Sequence, residues 1–324
     1  MRRRRIAFAV AGISLVGIYL FNASWLAPVP TGDPKLLAHR GVHQTFKLES
    51  LTASTCTAKR MNPPTNSYLE NTMPSIQASF AKGADIIELD VHPTTDGEFA
   101  VFHDWGLECR TDGKGVTRRQ SMVYLKRLDL GYGYTADGGN TFPFRGKGIG
   151  MMPTLNEVLT AYSDKTFLIN IKSRDSNEAR RLVAYLAKRG YPTDNGLWVF
   201  ADGPPYRELR KLAPKARVDS KQSVKSCTIQ YLALGWTGHV PDACKNGSIG
   251  LPTNIRWFFW GWPNRFIDRM EKAGVNMMMV GPLGQDETGV SEVDQLDAVP
   301  NGFPGTVMTD HVEVIGPDMK RRGL

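Results

Sequence analysis

Glu88-Leu89-Asp90 is the most demanding tripeptide in this 324-residue sequence. Its flanks, Ile86, Ile87 and Val91, are apolar, so the segment reads as a buried strand. Alternation along a strand sends Glu88 and Asp90 to one face and Leu89 to the other. Two carboxylates side by side in an apolar setting repel each other unless a cation or a proton compensates. A hard divalent cation held by oxygen is the simplest compensation; pairing with arginine is the alternative.

Four other clusters carry groups suited to phosphate chemistry. In His39-Arg40-Gly41 the histidine can move a proton near neutral pH, the guanidinium can grip a phosphate, and the glycine permits a tight turn. Phe102-His103-Asp104 supplies a second histidine, and general acid–base catalysis needs one group to take a proton and one to give it. Taken alone, each reads first as an ordinary strand-end turn or loop. Asn170-Ile171-Lys172 alternates, so a carboxamide and an ammonium share a face and can address a metal and a phosphate, or simply meet solvent. Leu69-Glu70-Asn71-Thr72 reads as a helix start with Asn71 as N-cap.

Strand candidates that would position these groups are 35–38, 85–91, 98–102, 166–171, 197–200, 216–218, 255–260, 275–280 and 305–308. Helical patterns fall between several of them, over 72–82, 155–161, 177–188 and 265–273. Strand–helix alternation predicts a parallel α/β fold, a somewhat irregular TIM (β/α)8 barrel whose chemistry sits at the strand ends. Nine candidates exceed the eight strands a barrel needs, and the 91–98 connection is too short for a helical crossover. Residues 105–152, rich in Gly, Tyr and Arg, read as an insertion after the third strand.

The formal charge of +8 does not point to nucleic acid, because Arg2, Arg3, Arg4 and Arg5 supply half of it ahead of an apolar run. Ile6 to Phe21 carries no charge, and Trp25 suits a membrane interface, so residues 1–27 read as a signal anchor rather than a cleaved signal. The arginines would stay cytoplasmic, placing the barrel, 35–324, on the periplasmic or extracellular side after a stiff proline-rich linker, 28–34. Four cysteines outside the cytoplasm suggest disulfides, with Cys227–Cys244 the nearer pair and Cys56–Cys109 the complement.

Together, His39-Arg40-Gly41, Glu70-Asn71-Thr72, Gly83-Ala84-Asp85 leading into Glu88-Leu89-Asp90-Val91, Thr95-Asp96-Gly97 and His103-Asp104 resemble the glycerophosphodiester phosphodiesterase family in order and spacing. Gly305 to Asp310 looks like its closing strand, and Trp260 like its late aromatic strand. The resemblance implies a TIM barrel with one divalent cation, Mg2+ or Ca2+, and His39 and His103 as the acid/base pair. It further implies Glu88 and Asp90 as metal ligands, Arg40 and Lys172 on the phosphate, and Glu70 in the same pocket, near the metal or the substrate. Asn170 stands where the family usually has a metal-binding glutamate, and Leu69 where it usually has proline. Trp260 can line the pocket for the alcohol group or pack in the core.

The expected reaction is hydrolysis of a glycerophosphodiester, or of a lysophospholipid head group at the membrane, to a phosphomonoester and an alcohol. The rivals are cleavage like that of sphingomyelinase D or phosphatidylinositol-phospholipase C, and a non-catalytic phosphodiester-binding module.

Overall fold

The computed structural model describes residues 2–52, 55–285 and 288–324, without the Arg2 side chain. Met1, at the start of the expected anchor, lies outside the described residues. The chain begins with helix α1 (Arg2–Asn22). Strand β1 (Lys35–His39) leads to α2 (Met73–Ala81), then β2 (Ile86–Pro93) and β3 (Phe99–Val101). Short α3 (Met122–Leu125) and α4 (Leu155–Ala161) precede β4 (Thr166–Ile171), α5 (Ser176–Lys188), β5 (Trp198–Ala201) and α6 (Pro204–Leu212). Next come β6 (Arg217–Asp219), α7 (Lys221–Leu234), β7 (Ser248–Pro252), α8 (Asn264–Lys272), β8 (Asn276–Val280), β9 (Thr306–Thr309) and α9 (Val312–Arg322).

Eight parallel strands follow the order β6-β5-β4-β2-β1-β9-β8-β7, a TIM barrel open only between β6 and β7. At that seam a single backbone bond, Val218 N–H to the Asn246 carbonyl (3.1 Å), is joined by side chains. Asp219 accepts from Ser248 N (2.7 Å), Ser248 Oγ (2.7 Å) and Trp198 Nε1 (2.9 Å).

Strand alternation builds two layers inside the barrel. Leu37, Ile86, Leu168, Trp198 and Met278 form an apolar plug. Two residues on, the same inward rows carry His39, Glu88 and Asn170, so the barrel turns polar toward the C-terminal ends of its strands. The opposite rows, Leu36, Ala38, Ile87, Leu89, Phe167 and Ile169 among them, are buried in the main core under the helices.

Several expectations are corrected. The strand expected at 98–102 is β3, which pairs antiparallel with β2 outside the barrel, and this explains the short connection at 91–98. The 105–152 insertion therefore follows the second barrel strand rather than the third. Its Leu107, Met122, Leu125, Tyr134 and Phe144 form a second core together with Ala58, Met61, Leu69, Ala100 and Phe102. The strand expected at 255–260 is instead a 3-10 turn (Arg256–Phe258) and loop, and the barrel strand lies earlier at Ser248–Pro252. Thr72, not Asn71, caps α2, its hydroxyl accepting from Ser75 N, because Asn71 adopts φ 60° and turns toward Asp90. Cys56–Cys109 and Cys227–Cys244 are both bonded. Within α1 the 20 residues Arg3–Asn22 include 18 of mean hydropathy 1.6, long and apolar enough to cross a membrane.

Candidate active site

The strand register brings the site together. His39 pairs with Glu88 across β1 and β2, and Asp90 pairs with Asn170 across β2 and β4. Ala38 pairs with Thr309, which sets Asp310 beside His39. His39 Nδ1 donates to Asp310 Oδ1 at 2.5 Å. A carboxylate only accepts, so Nδ1 carries the proton and Nε2 faces Glu88 Oε2 at 3.9 Å. Burial and Arg40 push the His39 pKa down, but the charge and hydrogen bond of Asp310, with Glu88, outweigh them and raise it.

Arg40 and Asn71 hold the strained backbone of the site. Both have φ 60°, a region non-glycine residues rarely occupy, and the Asn71 N–H donates to the Arg40 carbonyl at 3.0 Å. Gly41 follows with φ 76°, where a Cβ would collide with Ser75 Oγ. This turn aims Arg40 at Asp90 (Nε to Oδ2 3.3 Å) and Glu70 (3.4 Å).

The two strand carboxylates are treated unequally. Asp90 meets Arg40, Lys172 (3.1 Å), Asn71 Nδ2 (3.0 Å) and Asn170 Nδ2 (3.1 Å). Burial opposes its charge, but Lys172, His103 and Arg40 hold its pKa well below the usual range. Glu88 receives one hydrogen bond, from Asn170 Nδ2 at 2.8 Å, and its buried Oε2 has no hydrogen-bond partner. Burial, followed by the neighbouring Asp90, pushes Glu88 up to about 7.

His103 has its own carboxylate. Nδ1 lies 2.7 Å from Asp104 Oδ1, and Arg110 grips the other oxygen at 2.5 Å. Burial and then Arg40 push His103 down to about 4, so its ring is neutral at pH 7. Arg110 also bonds Glu70 Oε2 (3.0 Å), Thr57 (2.8 Å) and Tyr134 OH (3.1 Å). Burial raises the Glu70 pKa, but Arg110 and Arg40 overcome it and leave the carboxylate strongly acidic. Next inward on β2, His92 sits 3.4 Å from the His103 carbonyl through Nε2.

His39, Arg40, Glu88, Asp90, Asn170, Lys172 and His103 thus share one connected cluster, with Glu70 joined through the two arginines. Trp260 is elsewhere. Its Nε1 donates to the Leu232 carbonyl and its own carbonyl accepts from Tyr231 OH, both at 2.9 Å, on the α7 flank. Sequence reasoning missed Asp310, Arg110 and His92 as members of the site. Asp310 carried a signal, a carboxylate just past a closing strand; Arg110 carried none, because only the folded insertion delivers it.

Among the described residues, no group of three His, Cys, Asp or Glu has metal-holding spacing. The oxygen set is two carboxylates and a carboxamide. It fits a hard cation: Glu88 Oε2 is buried without a hydrogen-bond partner, and a half-turn of the Asn170 amide would turn its Oδ1 toward the Glu88 and Asp90 carboxylates. The Glu70 carboxylate, engaged by Arg40 and Arg110, lies behind the guanidinium rather than in this set.

A nearly closed parallel barrel with two carboxylate-oriented histidines and paired acids at the C-terminal mouth has its polar cluster on the face such barrels use for chemistry. Residues 39–190 match the sequence model of the Glycerophosphoryl diester phosphodiesterase family. A glycerophosphodiester phosphodiesterase of Caldanaerobacter subterraneus is 37% identical over 103 residues, 32% of this chain and 39% of that protein. One from Bacillus subtilis is 32% identical over 125 residues, 37% of this chain and 41% of that protein. The chain thus spans about two fifths of the curated relatives it matches.

Solved structures extend the fold over the barrel. The glycerophosphoryl diester phosphodiesterase domain of a Mycobacterium tuberculosis protein superposes with TM-score 0.59 at 17% identity, covering 89% of this chain and 99% of that one. An Oleispira antarctica phosphodiesterase, solved with the product sn-glycerol-3-phosphate, gives 0.56 at 18% identity, covering 89% and 97%.

Proposed function

We propose that the protein hydrolyses glycerophosphodiesters to a phosphomonoester and an alcohol, using His39 and His103 as the acid/base pair and one divalent cation, Mg2+ or Ca2+. The observation that carries this reading is the pairing of two histidines, each oriented by its own carboxylate, with a buried Glu88 oxygen that has no hydrogen-bond partner 3.9 Å from His39, and with Arg40 and Lys172 on the adjoining Asp90. The match of residues 39–190 to the family and the product bound to the Oleispira antarctica phosphodiesterase support the substrate class. A membrane-anchored protein outside the cytoplasm, working on head groups or lysophospholipids, fits the apolar α1.

Arg40 and Lys172 bind the phosphate, leaving Asp90 to the cation. Arg40 Nε now lies 3.2 Å from His39 Nε2, a contact only a neutral ring accepts. A phosphate that takes this guanidinium frees Nε2 to carry the proton that Asp310 and Glu88 favour. His103, neutral at pH 7 and held in place by Asp104 and Arg110, removes a proton from the attacking water as its oxygen bonds to phosphorus. As the phosphorus–oxygen bond to the alcohol breaks, His39 gives its Nε2 proton to the leaving oxygen. A cation bound by Glu88, Asp90 and Asn170 would supply Lewis-acid polarisation of a phosphoryl oxygen.

The test is turnover of glycerophosphocholine by the full chain, with phosphorus NMR of the product. A chelator should abolish turnover and Mg2+ or Ca2+ restore it; His39→Ala and His103→Ala should each cost roughly 10²-fold or more. Near-native rates in both variants would refute the assignment, and a persistent cyclic phosphate would replace hydrolysis with a lyase reaction.

A further inference from the structure

α1 leaves the barrel through a built socket. Arg269 of α8 is buried, and its guanidinium donates to Asn22 Oδ1 (2.9 Å) and to the carbonyls of Phe21 (3.3 Å) and Gly235 (3.0 Å). The Phe21 ring lies 5.1 Å from the guanidinium carbon. Asn22 Nδ2 donates to the Trp236 carbonyl at 2.8 Å. Further along, Ser24 Oγ accepts from Asn264 N (2.9 Å), the Leu26 carbonyl accepts from Arg265 (3.1 Å), and Gly32 N–H donates to the Gly302 carbonyl (3.0 Å). The end of the expected anchor is thus tied to the barrel at Asn22, Ser24 and Leu26, and the expected 28–34 linker at Gly32.

Apolar side chains surround this socket and face outward. Trp25 is 65% exposed, Trp236 41% and Trp260 37%, with Leu26 and Leu234 beside them. Trp260 belongs here because Tyr231, whose hydroxyl accepts a 3.4 Å contact from Arg269, donates to its carbonyl. None of the apolar window of α1 is buried in the protein. A helix of 20 residues spans about 30 Å, the hydrocarbon thickness of a bilayer, and tryptophan concentrates at the bilayer interface.

We propose that the α7–α8 flank of the barrel rests on the bilayer surface, with Trp25, Trp236 and Trp260 in the interfacial layer and Arg269 locking α1 to that flank. Lipid is the occupant because the aromatic ring is continuous with the root of the exposed apolar helix, and the arginines at its far end suit the opposite face. The barrel then holds one orientation on the membrane instead of swinging on a linker. The inference rests on α1 being retained as an anchor and does not depend on the reaction at the mouth.

The experiment uses the full chain in phosphatidylcholine nanodiscs, with and without acyl chains brominated near the headgroup. Brominated lipid should quench tryptophan emission, and Trp236→Phe/Trp260→Phe should remove about half of that quenching while melting within a few degrees of the native chain. If the double variant does not fold, Trp236→Phe alone should remove a smaller but measurable share. Arg269→Leu should leave α1 in the disc yet reduce quenching as the double variant does. Equal quenching in native and double-variant chains overturns the proposal. So does an aromatic ring protected from both lipid and aqueous iodide, which would mean that a second copy covers it. Intact-mass analysis of cell-derived protein separates the remaining failure: loss of residues 1–27 would remove the anchor itself.

Discussion

Two of the carboxylate sites buried in the barrel are satisfied in opposite ways. At the β6–β7 seam, Asp219 accepts three hydrogen bonds from uncharged groups of Ser248 and Trp198. Burial raises its pKa, but those bonds hold the rise in check. At the mouth, Asp90 is ringed by Arg40 and Lys172 while Glu88 keeps an oxygen with no hydrogen-bond partner. At the seam neutral donors close the carboxylate off, because an unfilled acceptor in the interior costs free energy. The mouth retains such a defect where a cation would fill it.

Exchanging the two roles should produce the largest effects. Glu88→Gln should cut turnover by about 10²–10³-fold through lost stabilisation of phosphoryl charge. Its stability should move the other way. With its folded pKa raised to about 7, Glu88 favours the cation-free fold below pH 4.5 and loses that contribution as pH rises to 7. Cation-free Glu88→Gln should therefore melt no lower than the native chain at pH 8. Asp219→Ala should keep the chemistry and lose about 3 kcal/mol, since it strands buried donors of Ser248 and Trp198. Calorimetric melts and initial rates on both variants check the contrast; a destabilised Glu88→Gln or an inactive but stable Asp219→Ala would erase it.

Arg110 joins the insertion to the mouth, and its loss should have an intermediate effect. It is 2% exposed and grips Glu70 and Asp104 with separate arms of one planar fork. Arg110→Lys keeps the charge but reaches only one carboxylate, so it should cost about 2 kcal/mol, one charged hydrogen bond. With Asp104 freed, His103 loses its fixed orientation. Turnover should fall about tenfold with KM changed less than about twofold. A rise in KM alone would place Arg110 on the substrate instead.

Arg110 also marks how far the sequence is legible. Period-two alternation placed Glu88, Asp90, Asn170 and Lys172 on inward rows, because one face of each strand must meet the apolar plug. The strand-end histidines were visible for the same reason. The aromatic run at 255–260 imitates a strand by propensity, whereas Ser248–Pro252 hides one behind Ser248, Gly250 and Pro252; only its register with β8 defines it. Asn71 had the composition of a cap, but the tertiary bond to Asp90 prevailed over that local preference. Arg110 reaches the site through a Cys109 disulfide and an insertion whose core is shared with Ala58, Met61, Leu69 and Phe102, information that no local pattern holds.

The smallest effect concerns the proton that shares Glu88 with the cation. Because burial and Asp90 push Glu88 up to about 7, cation binding below that pH must displace a proton. Affinity should rise about tenfold per pH unit up to 7 and then level off, with close to one proton released per ion at pH 6 and almost none at pH 8. Isothermal calorimetry in buffers of different ionisation enthalpy reads this directly. Asn170→Glu adds an anion to the set and should tighten binding. Its new carboxylate must compete for Lys172, which already faces Asp90 at 3.1 Å, so the gain should be only a few-fold. Unchanged affinity would remove position 170 from the ligand set, and affinity independent of pH would show that Glu88 is already ionised through Asn170 and His39 alone.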